Sequence, residues 1–193
     1  LKKEIFGRII VISAPSGAGK TSIIKEILIA FPELVFSISA TTRKKRDNEN
    51  EGVDYFFINE EDFISKINEG EFVEYEKFYD YYYGTYKSYI NNNISEGKPV
   101  LLDVDVKGAL SIKKIYPEAA LIYILPPSLD ILIERLKKRQ TESEADLNKR
   151  VERAKMELSL KDKFDYFVVN KDLNLAILEV KEIINKILNK QRN

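Results

Sequence analysis

The sequence predicts an α/β fold, a parallel β-sheet with helices on both faces, interrupted by two inserted segments. Three observations carry this. Short β-branched runs alternate with stretches of helical apolar spacing, the pattern of strand–helix–strand units. A small-residue turn rich in glycine joins the first such run to the first helix. Between residues 37 and 97, and again between 128 and 163, the alternation gives way to aromatic-rich and then to charged helical segments.

Arg8-Ile9-Ile10-Val11-Ile12-Ser13 reads as a strand buried on both faces. Ala14 to Gly19 is a loop, and Lys20 to Phe31 has helical spacing at Ile23, Ile24, Ile27 and Leu28 before Pro32 stops it. Asp54 to Ile58 and Phe72 to Phe78 flank an acidic-started helix at about Glu60 to Glu69, which predicts a small, mostly antiparallel lobe. Further buried strands are expected at Val100 to Val104, Leu121 to Leu125 and Phe167 to Asn170. Helices are expected at Val106 to Ile115, Leu129 to Lys138 and Leu173 to Leu188, the last with Leu175, Leu178, Ile183 and Ile187 near one stripe. The second insertion is helical and charged, with a loop around Gln140 to Ala145. The expected organisation is a core of residues 1–36, 98–127 and 164–193, a lobe of 37–97 and a lid of 128–163. A chain of 193 residues suffices to fold these around one compact unit.

Composition removes several classes of function. Lys plus Arg total 31 and Asp plus Glu total 31, so no basic excess exists to hold nucleic acid by field. Any anion site is therefore built from a few well-placed cations. Without Cys there are no disulfides or thiolate chemistry, and without His there is no Ser-His or Cys-His nucleophile. No apolar run is long enough to span a bilayer and no signal peptide is evident, so a cytoplasmic protein without membrane partners is expected.

The chemistry sits first in Ala14-Pro15-Ser16-Gly17-Ala18-Gly19-Lys20-Thr21, close to the phosphate-binding pattern Gly-x-x-x-x-Gly-Lys-Ser/Thr, with Ala14 in place of the first Gly. Glycines let successive backbone N–H groups turn around an anion, and the following helix adds its positive end. Lys20 is expected on the β- and γ-phosphates and Thr21 on Mg²⁺. Asp103, at the end of a strand, is expected to face the metal or its water shell. Asp105 reads equally well as the cap of the helix that follows.

With these residues the chain resembles the guanylate kinases, nucleoside monophosphate kinases that phosphorylate GMP. The phosphate loop, Ala14 included, is similar to the bacterial form of that family. Ser39-Ala40-Thr41-Thr42-Arg43-Lys44-Lys45-Arg46 is similar to its Ser-x-Thr-Thr-Arg-x-x-Arg. Gly52-Val53-Asp54-Tyr55-Phe56-Phe57, Phe72-Val73-Glu74, Tyr82-Tyr83-Gly84-Thr85 and Leu102-Asp103-Val104-Asp105 follow in the family's order. The chain departs from the pattern at Lys45 and Asn48, where the family usually has Pro and Gly.

The resemblance implies a P-loop NTPase-type sheet with a GMP-binding lobe and a lid, transferring the γ-phosphoryl group of ATP to GMP, and to dGMP, with Mg²⁺. It places Arg43, Arg46, Tyr55 and Tyr83 on the acceptor phosphate, where two arginine forks and tyrosine hydroxyls orient a dianion. Glu74 is implied to accept from guanine N1–H and the 2-amino group, and Ser39 and Thr85 to bond the O6 side. Asp103 is implied at either the guanine edge or the metal shell. Arg135, Arg139 and Arg150 are implied over the triphosphate, and Asn170 near the adenine. Arg153 pairs equally well with a nearby Glu and is assigned no role. Structural packing accounts for most of the cluster Tyr79, Tyr81, Tyr82 and Tyr83. The alternatives are a catalytically inactive interaction domain of the same fold, or a P-loop kinase for another monophosphate.

Overall fold

In the computed structural model, residues 8–78, 80–138 and 144–189 are described. The elements run β1 (Ile9–Ser13), α1 (Lys20–Ala30), β2 (Val35–Phe36), β3 (Ala40–Thr41), β4 (Phe56–Phe57), α2 (Glu60–Asn68), β5 (Phe72–Phe78) and β6 (Tyr81–Tyr86). They continue with α3 (Lys87–Ser95), β7 (Val100–Asp103), α4 (Val106–Ile115), β8 (Ala120–Leu125), α5 (Leu129–Lys137), α6 (Glu144–Leu158), β9 (Tyr166–Val169) and α7 (Leu173–Asn189).

The central strand β1 is buried along its whole length, and its alternate residues feed two cores. Ile10 and Ile12 pack with Ile23, Ile27, Val180 and Ile184 from α1 and α7. Ile9 and Val11 pack on the opposite side with Leu102, Val106, Ile112 and Tyr123. A strand buried on both faces needs apolar residues at every position, which is why β1 reads as a continuous β-branched run. The sheet order is β2-β7-β1-β8-β9, and every pairing in it is parallel. The fold is thus the expected α/β class, with helices on both faces.

The second sheet has the order β4-β3-β6-β5. Its β3–β6 and β5–β6 pairs are antiparallel and its β3–β4 pair is parallel. Phe63 of α2 fills its core, stacked on Phe72 at 4.4 Å and on Tyr82 at 5.3 Å between centroids. Tyr82 therefore packs as expected, Tyr81 is exposed, and Tyr79 lies outside the described residues. Gly84 gives Phe63 its room, since a Cβ there would lie 2.9 Å from the ring.

Two elements differ from the sequence expectation. Helix α3 was not foreseen, because Asn91, Asn92 and Asn93 are poor helix formers. It forms because Ile90 packs into the core beside β7 and Tyr89 donates to the Phe36 carbonyl. In α7 the buried stripe is Ile177, Val180, Ile184 and Ile187, with Ile183 beside it, whereas Leu175 and Leu178 face outward. Spacings of three and four residues define that stripe, and Leu175 and Leu178 fall off it. Among the described residues, no helix is long and apolar enough to cross a membrane.

Candidate active site

The phosphate loop leaves β1 at the carboxyl edge of the parallel sheet, where open α/β sheets hold their ligands. In the β1–β7 register Ile12 lies opposite Asp103, so the loop begins beside that carboxylate. Ala14 is buried within the apolar cluster under the sheet, so the methyl that replaces the expected glycine hydrogen finds a packed place. Gly19 closes the loop with φ near +95° as the N-cap of α1 and supplies no capping side chain. The first-turn N–H groups of α1 are thus left for an external anion. A Cβ on Gly19 would collide with Asn170 Nδ2.

Asn170 is buried and braces this turn. Its Nδ2 donates to the Ala18 carbonyl at 2.7 Å, and its backbone N–H donates to Leu125 at 2.8 Å. Arg135 of α5 donates to the Asn170 carbonyl at 3.2 Å, tying the start of the second insertion to the same point. Lys20 Nζ donates to the Val104 carbonyl at 2.8 Å and pairs with Asp103 at 2.5 Å. Thr21 follows, exposed on the first turn of α1.

Facing the loop is a cavity of about 410 Å³, lined on its far side by Glu76, Tyr83, Asp105, Arg150, Arg153 and Glu157. The second sheet supplies its own polar cluster. A register shift between Phe72 and Glu74 re-aims β5, after which Glu74 pairs across to Thr85 and Glu76 to Tyr83. Thr85 is buried and donates to Glu74 Oε1 at 2.5 Å. Burial pushes the Glu74 carboxyl up to about 7, against the lowering effect of the Thr85 hydroxyl, and Asp105 and Glu76 add to the rise. A Cβ on Gly108 would lie 3.0 Å from both Glu74 Oε2 and Asp105 Oδ1, so the bare backbone there makes room for both carboxylates.

Arg43 lies between Tyr55 and Phe57, its guanidinium 5.4 and 5.8 Å from their ring centroids. Tyr55 and Tyr83 meet edge to face at 6.1 Å. Burial pushes the Tyr55 phenol up, so it remains a donor at neutral pH. Glu49 holds Arg43 in a fork, at 2.9 and 2.7 Å, and also accepts from the Arg46 backbone N–H at 2.9 Å. The Arg46 side chain is exposed, and Ser39 is partly buried just before β3. Arg139 lies outside the described residues.

Sequence reasoning missed Glu49 and gave Arg153 no role. Glu49 carried no signal beyond its nearness to two arginines. Arg153 meets its expected nearby Glu, Glu157, and two distant carboxylates as well. Asp105 proves to be the helix cap, accepting from Gly108 N–H at 2.7 Å, while its other oxygen holds Arg153.

Oxygen donors beside the loop include the Thr21 hydroxyl and the Asp103 carboxylate, the latter paired with Lys20. That fits a magnesium ion arriving with phosphate oxygens, which keeps several waters and takes one or two protein oxygens.

A parallel sheet whose central strand runs through a positive-φ glycine turn into an uncapped helix, with lysine at its first position, defines a P-loop nucleotide-binding protein. The chain belongs to the guanylate kinase family, whose model matches residues 6–187. A guanylate kinase of Thermotoga maritima is 51% identical over 178 residues, covering 92% of this chain and 86% of its own length. One from Chlorobium chlorochromatii is 48% identical, covering 94% of this chain and 96% of its own. The crystal structure of guanylate kinase from Anaplasma phagocytophilum superposes with a TM-score of 0.72 at 28% identity, covering 97% of this chain and 88% of that one.

Proposed function

We infer that the chain transfers the γ-phosphoryl group of ATP to GMP, and to dGMP, giving ADP and GDP or dGDP, in the cytoplasm. Family membership supports the reaction, and one observation carries the base choice: the Glu74 carboxylate, set beside Thr85 within the second sheet. Guanine offers N1–H and a 2-amino group side by side, which one carboxylate accepts together. Adenine offers neither, and would leave Glu74 desolvated without a partner, a penalty that supports discrimination of roughly 10⁴.

In this reading residues 37–97 form the acceptor lobe and residues 128–163 the lid over the core. Arg43, Arg46, Tyr55 and Tyr83 hold the acceptor phosphate, with Ser39 and Thr85 on the O6 side of the base. The loop Ala14–Thr21 and Lys20 hold the donor's phosphates, Asn170 braces that loop near the adenine, and Asp103 belongs to the phosphate side through its pair with Lys20. Arg150 faces the cavity from the lid, with Arg135 at its base and Arg139 between them in sequence.

The nucleophile is an acceptor phosphate oxygen already anionic near neutral pH, so no side chain has to remove a proton. The absence of His from the chain is in keeping with that. Lys20 and the lid arginines stabilise charge spreading over the transferred group, while the acceptor clamp aligns the attacking oxygen. Thr21 and Asp103 would hold a magnesium ion arriving with the nucleotide, which would supply neutralisation of the phosphate charge. Closure of lid and lobe keeps water from accepting the phosphoryl group.

Chromatography of products from ATP and GMP tests the reaction. ADP and GDP are expected in equal amounts, and ADP formed without GDP contradicts it.

A further inference from the structure

Helix α6 carries a second arginine one turn beyond Arg150, and the reading above leaves it without a task. Arg153 Nε donates to Glu157 Oε1 at 2.8 Å on its own helix. Its Nη2 donates to Asp105 Oδ2 at 2.7 Å and to Glu76 Oε2 at 3.0 Å. These carboxylates belong to three parts of the molecule. Glu157 is on the lid, Asp105 caps α4 on the core sheet, and Glu76 is on β5 of the acceptor lobe, two residues beyond Glu74 and on the same face.

The pair with Glu157 is of the common i,i+4 kind and serves the helix itself. Glu76, 77 residues away in sequence, does nothing for α6 as a helix; it joins lid to lobe. The side chains of Arg153 and Glu76 are 29% and 28% exposed, and that of Glu157 only 6%, so this is a partly desolvated network rather than a surface pair. The three carboxylates also border the cavity, and the single positive charge of Arg153 offsets part of theirs.

We propose that Arg153 is a positioning residue that interlocks lid and acceptor lobe, holding Arg150 over the phosphate cavity while β5 lies against α6. Residues three apart share a helix face, so anchoring Arg153 sets the direction in which Arg150 points. The same strand carries Glu74, so an acceptor that fixes β5 through its base also fixes the lid arginine. Acceptor recognition and phosphoryl-group stabilisation are thereby linked through one guanidinium. The inference rests on Arg150 being the phosphate-facing arginine of the lid.

Steady-state kinetics on Glu76→Ala, Arg153→Met, the double variant, Arg153→Lys and Arg150→Ala test it. Glu76→Ala is expected to lower kcat about tenfold, with KM for ATP and GMP within roughly twofold of native. In the Arg153→Met background the same change is expected to have no further effect, and Arg153→Lys to recover part of the loss. Native kcat in Glu76→Ala, or losses that multiply in the double variant, overturns the interlock. If Arg153→Met does not fold, Glu76→Ala decides alone. A slow Arg150→Ala beside a native Glu76→Ala rejects the interlock and leaves the lid reading standing. A native Arg150→Ala rejects that reading and the interlock with it.

Discussion

Lys20 Nζ is held between the Asp103 carboxylate at 2.5 Å and the Val104 carbonyl at 2.8 Å, so the phosphate-loop amine rests against the end of β7. In the proposed reaction a triphosphate entering the cavity would draw that amine toward itself and away from Asp103. The pair is no more exposed than that of Arg153 and Glu76, and in the proposed reaction Lys20 would exchange it for phosphate oxygens. Lys20→Ala is expected to lower kcat by about 10³.

As the proposed guanine acceptor, Glu74 is expected to make acceptor binding proton-linked. Its carboxyl sits at about 7 because it is buried, and only the ionised form accepts two guanine donors. Below that pH the free protein holds a proton that GMP must displace, so GMP affinity falls about tenfold per pH unit there. Calorimetry at pH 6.5 in buffers of different ionisation enthalpy is expected to show proton release beyond that of the acceptor phosphate, and Glu74→Gln is expected to remove it. The stability linkage has the opposite direction. Between pH 4.5 and 7 the folded chain holds the proton that the unfolded chain loses, so this group's contribution to stability declines as pH rises through that window. Glu74→Gln is therefore expected to be more stable than native at pH 8.

Glu49 holds the Arg43 guanidinium and the Arg46 backbone, and is expected to order the proposed phosphate clamp without reading the base. Hydrogen bonds from Arg43 and the Arg46 backbone hold its carboxyl down at about 2, so the fork stays intact across the working pH range. Glu49→Ala frees Arg43 to sample other rotamers and is expected to raise KM for GMP about tenfold. The loss is expected to be equal for GMP and dGMP, and the preference for guanine over adenine to be unchanged.

Asn170 holds the loop from behind. Asn170→Ala leaves the Ala18 carbonyl without its donor in a buried place, which costs about 1–3 kcal/mol. Thermal unfolding measures that loss. Kinetics are expected to show a raised KM for ATP with KM for GMP near native, since the acceptor cluster is untouched.

The parts of this molecule that were legible in the sequence are those whose physics is local. Strand β1, the glycine loop and α1 follow from residue type at fixed spacing, because full burial demands an apolar run and the left-handed turn favours Gly19. Helix α3 was not legible, since its reason for being helical is the contact of Ile90 and Tyr89 with distant residues. The two-residue strands β2, β3 and β4 are too short to carry any period. Candidate site residues were named from the family's motifs, whereas the groups that hold them, such as Glu49, were not. Glu49 supplies order to a loop where Lys45 stands in place of the stiffer Pro of the family pattern, and only geometry exposes this. Arg153 meets Glu76 and Asp105 because two sheets and a helix converge on one cavity, a fact of topology.

The central claim is that a carboxylate on the second sheet chooses guanine for the phosphates gripped by the loop. A coupled ADP-release assay with GMP, dGMP, AMP, CMP and UMP, run on the native chain and on Glu74→Ala, tests it most directly. Native kcat/KM is expected to favour GMP over AMP by roughly 10⁴, and Glu74→Ala to lose most of that preference through GMP. Equal native rates on AMP and GMP, or an undiminished preference in Glu74→Ala, would contradict the account.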